Sequence, residues 1–497
     1  MKPYRIHILL FALVLSLVTP GCKKFLEKDP QGLLTTDQFP TSASDALLAT
    51  NAIYESTRDW YYHSGGYPIL DIMSDDARKG SNPSDQGSTV GPYDRFAITP
   101  TQDGLDRWWT ALYVGVRRAN VVIEKVPLIT MDATVQSRCI GEAKFLRGLF
   151  YFDFVRAWGG VPLVTTTDPP LGLTRATKDE VYTLIINDLQ AAIAVLPEKS
   201  AYANADIGRA TKEAAEALLA RVYLYRNDFA NAETYAMDVI NLNKYSLEPV
   251  YTDANGINGN NGVESIFEIG ALQVESTESG GDQYGNTQGV RGTPNKGWGF
   301  NRPSIDLRNS FETGDPRYKG TVIDLGDTID GIVILGDVAG TPDVTKDSLG
   351  NIIEIECYNR KVWVPGANTI SNWGLHRRLI RYADVLLMAA EALNENGKSA
   401  QALTYLNMIR ARARQGNIGI LPDITTTDQS QLRDIIFNER RHELAMEGLR
   451  FWDLVRTGRA PAVLGPLGFV TGKNEVLPIP QSEIDLSQGA LVQNPNY

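Results

Sequence analysis

Few side chains in this sequence stand at the spacings that catalysis requires. His442 and Glu443 begin like a zinc-protease helix, but Met446 occupies the position where the second zinc-binding imidazole belongs. The adjacent acids Asp75 and Asp76 cannot face each other across a sugar, as the two carboxyl groups of a glycosidase must. The chain has only four histidines and shows no P-loop, nucleophile elbow or dinucleotide fingerprint. The sequence therefore predicts a protein that is not an enzyme and that has no catalytic, metal or cofactor site.

A calcium loop is the remaining metal motif to consider. Segment 253–264, DANGINGNNGVE, places Asp253 and Glu264 at the first and twelfth positions of an EF-hand-like loop. Ile257 and Asn258 stand at its fifth and sixth positions, where an oxygen ligand and a glycine belong. We therefore interpret the segment as an Asn/Gly turn exposed to water.

Aromatic residues next to glycine, asparagine or serine offer a different chemistry. The C–H faces of pyranose rings stack on Trp or Tyr, while nearby polar side chains bind the hydroxyls. Rings that serve this purpose must lie outside regular helices, where one face can stay open. The candidate ligand-binding residues are Trp60, Tyr62 and Tyr67, with Tyr61 beside them, and Tyr93, Tyr284, Trp298 (in GWGFN) and Trp373 (in SNWG). Partly buried packing is the alternative for each ring.

Residues 1–21 have the layout of a secretory signal peptide. Lys2 and Arg5 precede an uncharged apolar run, residues 8–18, that is shorter than the roughly 20 residues a membrane-spanning helix needs. Removing this segment takes the formal net charge of the 497-residue chain from -11 to -13, because Lys2 and Arg5 are lost. We do not expect such an acidic chain to bind nucleic acid, since no basic stretch interleaved with aromatics is visible.

A lipid anchor is predicted at Cys22. Residues 17–22, LVTPGC, resemble a lipobox, and cleavage before the cysteine would free its sulfur and its new amino group for acylation. An ordinary secretory peptide with an incidental cysteine is the alternative. Residues 22–35 would then form a lipidated leash. Cys139 and Cys357 are expected to be small buried residues rather than reactive thiols.

The elements that must position these side chains are mostly helical. Helical periodicity predicts helices over 42–59, 103–125, 137–158, 178–196, 211–226, 230–241, 377–396, 399–412 and 431–455. Between the two helical halves, Gly- and Asn-rich loops alternate with β-like runs at 266–269, 331–335 and 352–358.

Two helix pairs, 217–240 and 385–410, share the layout of a tetratricopeptide-like hairpin. Each has a first helix rich in small residues, a tight turn and a second helix. We therefore predict a mainly α fold built on such hairpins, with a loop-rich insert of short strands. The expected organisation is one domain over 36–497, with a helical scaffold at 36–245 and 375–460, the insert at 246–374 and a C-terminal segment at 461–497.

Four segments carry a family resemblance. They are 144–164 (KFLRGLFYFDFVRAWGGVPLV), 381–393 (RYADVLLMAAEAL), 439–458 (ERRHELAMEGLRFWDLVRTG) and 477–497 (LPIPQSEIDLSQGALVQNPNY). Behind a lipobox and in this order, they resemble the signatures of the SusD/RagB family of outer-membrane nutrient-binding lipoproteins.

The resemblance implies a SusD-like helical scaffold that is lipid-anchored and surface-exposed on the outer membrane of a Bacteroidetes-type bacterium. It also implies a starch-binding-protein-like role in polysaccharide utilisation: capture of an oligosaccharide and its delivery to a SusC-like TonB-dependent transporter. In the RagB branch the ligand is a peptide. No ligand residue is carried over, because the family's binding loops vary. A peptide-binding RagB-like protein, a helical-repeat adaptor that binds only protein, and a surface glycan hydrolase stay open as alternatives.

The charged and aromatic residues inside these segments have a structural interpretation. Arginine and carboxylate side chains at three- and four-residue spacing, such as Glu447 with Arg450 and Asp453 with Arg456, can form ion pairs between and along helices. The flanking aromatics Trp158, Trp452, Phe145 and Phe451 are expected in the core. We therefore keep both groups out of the predicted ligand site.

Overall fold

The computed structural model describes residues 39–62, 71–82, 84–272, 283–346, 349–366 and 374–497. Cys22 with the predicted leash, Tyr67 and Trp373 lie outside the described residues. Within the described ranges, no helix combines the length and the apolar character that crossing a membrane requires.

Helices dominate both sides of the insert, which confirms the predicted mainly α fold. In chain order they are α1 Ala43–Ser56, α2 Gly91–Asp94, α3 Leu105–Lys125, α4 Ala133–Trp158, α5 Lys178–Ile193, α6 Lys212–Tyr225, α7 Phe229–Asn241, α8 Tyr284–Gln288, α9 Ile305–Ser310, α10 Arg317–Thr321, α11 Tyr382–Glu395, α12 Ser399–Ala413, α13 Gln429–Leu444, α14 Arg450–Arg456, α15 Ala460–Leu464 and α16 Gln481–Leu486. Helix α1 begins at a capping box, in which the Ser42 side chain accepts from the backbone of Asp45 and the Asp45 carboxylate accepts from that of Ser42.

The strands are short and pair two by two in antiparallel ribbons. They are β1 Ala77–Gly80, β2 Ser265–Ile269, β3 Phe300–Pro303, β4 Val322–Asp324, β5 Thr328–Ile329, β6 Ile332–Val333, β7 Val344–Lys346, β8 Ile352–Ile355, β9 Cys357–Asn359 and β10 Arg377–Arg381. The pairs are β1 with β3, β2 with β10, β4 with β9, β5 with β6, and β7 with β8. The predicted run 352–358 therefore divides into two strands with different partners, and run 331–335 contributes only the short strand β6.

The two predicted hairpins are present as α6–α7 and α11–α12, and α7 also packs against α11. Left-handed residues make both tight turns, Asn227 with φ 57° and Gly397 with φ 75°. Small residues let other helices approach closely: a Cβ on Gly115 of α3 would lie 2.5 Å from the Phe150 ring of α4. The hairpins and their neighbours thereby bury a continuous core.

One large core cluster draws its side chains from both helical halves. Phe145, Trp158, Phe451 and Trp452 are all buried in it, which confirms their predicted structural role. Both described cysteines are free and buried, again as predicted. A second, smaller cluster lies in the insert and is centred on Tyr358.

Two of the predicted helices are partly wrong: the one over 377–396 at its start, and the one over 431–455 in its middle. Residues 377–381 form strand β10 instead of the first turns of α11, because they pair with β2. The predicted helix 431–455 is broken into α13 and α14, since Met446 (φ 64°) and Gly448 (φ 76°) adopt left-handed backbone conformations that end a right-handed helix. Neither effect is visible in the local hydrophobic pattern.

The charged residues of the signature helices form a buried ion-pair network, as interpreted from the sequence. The Arg381 guanidinium lies 2.7 Å from a carboxylate oxygen of Glu443 and 2.8 Å from one of Glu447. Burial alone would raise the pKa of the Glu443 carboxyl, but the charges of Arg412 and Arg381 outweigh burial and hold that pKa well below its usual range. The network therefore stabilises the ionised form of these acids inside the scaffold.

The partners within this network differ in part from the predicted ones. Asp453 and Arg456 form the expected pair at 2.7 Å. Arg450 instead binds Asp75, at 2.8 Å, and Glu447 binds Arg381 at the end of strand β10. The network thus joins segments that are far apart in sequence, which local spacing does not reveal.

Segment 253–264 is half-buried, so the expectation of a turn exposed to water is wrong. Glu264 is 1% exposed, and the Lys199 ammonium donates to the carbonyl oxygens of Gly262 at 2.8 Å and Ser265 at 2.9 Å. A lysine side chain therefore supplies the positive charge at these carbonyl groups.

Candidate functional site

Trp60 and Trp298 form an exposed aromatic pair. Their ring centroids are 5.9 Å apart and their planes meet at 62°, an edge-to-face arrangement. Trp60 is 36% exposed and Trp298 37%, whereas every other tryptophan in the described part of the chain is buried. This pair offers two indole rings to a ligand in solution.

Tyr61 and Arg107 extend this surface. The Arg107 guanidinium, on α3, lies 4.9 Å from the Tyr61 ring centroid, and its Nη1 donates a hydrogen bond of 2.7 Å to the Tyr61 hydroxyl. Aromatic faces accept C–H groups, and the guanidinium supplies hydrogen-bond donors. Trp60, Tyr61, Trp298 and Arg107 are called the aromatic surface below.

Glycines on both sides of Trp298 fix its backbone. A Cβ on Gly297 would lie 2.3 Å from the carbonyl oxygen of Asn286, and Gly299 has a φ of 72°. The Trp298 amide donates to that Asn286 carbonyl at 2.8 Å, and the Gly299 carbonyl accepts from Ser81 at 2.6 Å. The sequence Gly-Trp-Gly therefore lets the backbone around Trp298 lie against α8 and against Ser81, the residue after β1.

Buried amides anchor the strand that follows Trp298. The Asn301 side chain donates a hydrogen bond of 2.7 Å to the Gln288 side-chain oxygen. That oxygen also accepts a hydrogen bond of 2.9 Å from the Asn359 side chain. Asn301 further accepts from the backbone of Asp71 and donates to its carboxylate, both at 3.2 Å. This network joins α8, β3, β9 and residue 71 beneath the aromatic surface.

Asp71 is the acidic member of that network. Burial raises the pKa of its carboxyl to about 6, in opposition to the hydrogen bond from Asn301, which lowers it. The carboxylate oxygen of Asp71 that does not bind Asn301 accepts a hydrogen bond of 2.9 Å from the backbone amide of Gly448, which lies in the break between α13 and α14. A titrating group therefore belongs to the hydrogen-bond network that anchors the strand after Trp298.

Three of the predicted ligand-contacting rings are not open to solvent. Tyr62 is fully buried, and its hydroxyl donates a hydrogen bond of 2.6 Å to Asp153. Tyr93 is 1% exposed. Tyr284 is 8% exposed, and the Arg377 guanidinium lies 4.3 Å from its ring centroid. The expectation of exposed rings is wrong for these residues, because their rings pack into the core. Of the predicted rings that lie in the described ranges, Trp60 and Trp298 are the two that are exposed and in contact.

The side chains that could suggest catalysis from the sequence are either paired with arginines or buried. Asp75 accepts two hydrogen bonds of 2.8 Å from Arg450, and Asp76 accepts 2.7 Å from Arg441. His442 is buried, and burial lowers its pKa to about 4. Across the described ranges, no group of three or more His, Cys, Asp or Glu side chains could hold a metal ion.

Sequence reasoning missed Arg107 and the amide network. Arg107 lies within a helical pattern and next to two core tryptophans, so its neighbours give no hint of an exposed role. Asn301 did carry a signal, because it closes the GWGFN motif and adopts a φ of 53° that asparagine tolerates better than most residues. Its partners become apparent only when the chain is folded.

Family models match most of the chain. Residues 263–471 match the model described as "SusD family", and residues 71–224 match the one described as "Starch-binding associating with outer membrane". The chain is 29% identical to the SusD-like protein P2 of Formosa agariphila over 100% of both chains. It is 28% identical to a SusD-like protein of Bacteroides ovatus, covering 87% of this chain and 78% of that one.

Solved structures agree with these matches. A laminarin binding SusD-like protein superposes with a TM-score of 0.77 at 29% identity, covering 92% of this chain and 100% of that one. Surface glycan-binding protein A from Bacteroides thetaiotaomicron, in complex with laminarihexaose, gives a TM-score of 0.74 at 26% identity with the same coverage. Together with the fold and the signature segments, these similarities show that the chain belongs to the SusD/RagB family.

Proposed function

We propose that this chain is a cell-surface glycan-binding lipoprotein that captures oligosaccharides and delivers them to a SusC-like TonB-dependent transporter in the outer membrane. The observation that carries the proposal is the exposed Trp60–Trp298 pair. Indole rings that are already exposed, one of them on a backbone held by hydrogen bonds on both sides, can stack against a pyranose without rearrangement, which lowers the entropic cost of binding.

Two similarities support the glycan as ligand. The solved relatives are named for binding laminarin and laminarihexaose, and one family model is described as starch-binding. Arg107 adds donors for sugar hydroxyls beside the rings. Asp75 and Asp76 are engaged by Arg450 and Arg441, so we propose binding without hydrolysis.

The membrane role follows from the amino terminus. We propose that residues 1–21 are removed, that Cys22 is acylated, and that residues 22–35 tether a folded unit of residues 36–497. A lipid-anchored protein cannot itself carry a polar glycan across the hydrocarbon layer, so a barrel transporter is the partner that this role requires. One family model is also described as associating with the outer membrane.

A glycan panel tests the ligand class. We expect the lipid-free protein to bind at least one oligosaccharide family, and the double variant Trp60→Ala/Trp298→Ala to lose most of that binding while it still unfolds at the wild-type temperature. Leu171→Ala, a matched control at a fully exposed apolar residue, should bind like wild type. Binding of peptides but of no glycan would instead favour the RagB-like alternative.

Two experiments test the membrane role. Cys22→Ala should yield a product that carries no acyl chain and leaves the outer-membrane fraction. Pull-down of the wild-type lipoprotein from mild detergent should return a large outer-membrane barrel. Palmitate labelling of Cys22→Ala would contradict the anchor, and repeated recovery without a barrel would contradict delivery to a transporter.

A further inference from the structure

A cleft of about 380 Å³, lined by both polar and apolar side chains, opens near the aromatic surface. One wall is the C-terminal half of α1 from Asn51 onward, together with the two residues that follow the helix, Thr57 and Arg58. Trp60 lies only two residues after Arg58, within about 7 Å along the chain. Loop 205–209 forms a second wall, and the end of β2 with His376 forms the third. A cleft of this size lies within the range of about 300–1,000 Å³ that is usual for small-ligand sites.

Donors and acceptors both line the cleft. The oxygen of the Asn51 carboxamide accepts a hydrogen bond of 3.0 Å from the Arg209 guanidinium. Among the described residues, the Asn261 carboxamide has no hydrogen-bonding partner, although Asn261 is half-buried. His376 pairs with the Glu268 carboxylate at the floor.

The charges of the cleft are balanced. The lining carries two carboxylates, Glu55 and Glu268, and two guanidinium groups, Arg58 and Arg209. Arg209 also pairs with Asp206 at 2.6 Å, and Glu268 with Arg378 at 3.4 Å. Ile207, which is 48% exposed, adds an aliphatic contact at the cleft. Such a lining favours a neutral ligand with many hydroxyl groups over a strongly charged one.

We infer that this cleft is a second sugar subsite, which binds a unit of the same oligosaccharide beyond the unit stacked on the aromatic surface. The inference rests on the proposed function. Asn51, Asn261 and Arg209 bind hydroxyls of that second unit, and Ile207 contacts its C–H groups. Ligands long enough to reach the cleft therefore bind more tightly than short ones.

The variant that tests the subsite removes two carboxamides without straining the backbone. Asn261 has a φ of 53°, so Asn261→Gly keeps a favourable conformation where alanine would not. Asn51→Ala completes the double variant at an exposed helical position. Asn243→Gly is the matched control, because Asn243 also has a φ of 53° but is exposed in the turn after α7 and does not line the cleft.

Calorimetric titration with laminari-, cello- and malto-oligosaccharides of three and six units separates the outcomes. We expect Asn51→Ala/Asn261→Gly to bind the three-unit ligand like wild type and the six-unit ligand about fivefold to tenfold more weakly, the effect of about one to two lost hydrogen bonds. The control should match wild type at both lengths.

The second subsite would be overturned if Asn51→Ala/Asn261→Gly bound the six-unit ligand like wild type, or if its binding weakened equally at both lengths. In either case, glycan binding by the wild-type protein would still uphold the proposed function. If the wild type binds no glycan and Trp60→Ala/Trp298→Ala changes nothing, the proposed function fails, and the subsite fails with it.

Discussion

The helical scaffold and the aromatic surface use the same residue types in opposite ways. Trp452 in α14 is 3% exposed and has the Arg156 guanidinium 5.0 Å from its ring centroid, whereas Trp298 is 37% exposed and contacts Trp60. Arg381 is enclosed by carboxylates, but Arg107 is exposed beside a tyrosine. Residue type alone therefore does not separate stability from ligand binding in this protein.

Backbone context makes the difference. A tryptophan on a helix that packs on several sides is covered by neighbouring elements, and Trp452 on α14 is buried in the large core cluster in this way. Trp298 instead lies between two glycines in a loop, where its indole contacts Trp60 and stays 37% exposed. The scaffold should consequently respond to mutation in stability, and the surface in affinity.

The largest loss of stability is expected from Arg381→Met. This change takes one counter-ion away from each of the buried carboxylates of Glu443 and Glu447, which costs about 3–5 kcal/mol. Chemical denaturation measures the effect. Arg433→Met is the matched control: Arg433 pairs with Glu395 at 2.6 Å but is 43% exposed, so about 0–1 kcal/mol is expected. Equal losses in the free energy of unfolding in both variants would show that the buried network stabilises the fold no more than an exposed ion pair does.

Trp452→Ala tests the aromatic side of the scaffold. It opens a cavity among packed helices, and we expect a loss of about 3–5 kcal/mol in the free energy of unfolding. Oligosaccharide affinity of the folded protein should stay at the wild-type value. A weaker affinity with unchanged stability would place Trp452 in the ligand site and remove the contrast with Trp298.

The sequence predicted much of the scaffold because helical periodicity is a local signal. It could not predict β10, since RRLIR continues the apolar pattern of α11 and becomes a strand only by pairing with β2. It could not place the break at Met446 either, because that conformation is stabilised by contacts from distant segments, such as the bond between Gly448 and Asp71.

The candidate site was harder to predict than the scaffold. Trp60 and Tyr62 are two residues apart in the same loop, yet one is exposed and the other is fully buried. The hydroxyl of Tyr62 reaches Asp153 on α4, a contact across 91 positions that no local pattern contains. Loop composition therefore identifies where open rings can occur, but tertiary contacts decide which rings they are.

Asp71 links stability to pH beneath the aromatic surface. Its pKa is raised from 3.8 to about 6, so between about pH 4 and 6 the folded protein holds a proton that the unfolded chain has lost. The free energy of unfolding should therefore fall by up to about 3 kcal/mol as pH rises through this window, and then level off. Comparison of Asp71→Asn with wild type across pH 3.5–8 isolates this step. A difference between the two curves that does not vary with pH would mean that Asp71 keeps an ordinary pKa.

Trp60→Ala and Trp298→Ala should act on affinity. Each removes one stacking face, so we expect oligosaccharide binding to weaken by about 1–2 kcal/mol, roughly a factor of 5 to 30. Both rings are more than a third exposed, so thermal stability should change far less than in Trp452→Ala. If either variant instead melts as early as Trp452→Ala and its folded fraction binds normally, that ring is structural.

The smallest effect, and the finest test of the surface, is expected from Tyr61→Phe. The substitution keeps the ring that lies 4.9 Å from the Arg107 guanidinium and removes only the hydroxyl that accepts its hydrogen bond. The free energy of unfolding should change by no more than about 0.5 kcal/mol, because the pair lies at the surface. Affinity should fall by about 0.5–1 kcal/mol, because Arg107 is then less well oriented toward sugar hydroxyls. A double-mutant cycle with Arg107→Ala, read out as oligosaccharide affinity, distinguishes this cause from direct contact between the tyrosine hydroxyl and the ligand.

If Arg107 mediates the effect, Tyr61→Phe costs no affinity once Arg107 is absent. If the same loss persists in the Arg107→Ala background, the hydroxyl itself contacts the sugar and Arg107 has no positioning role.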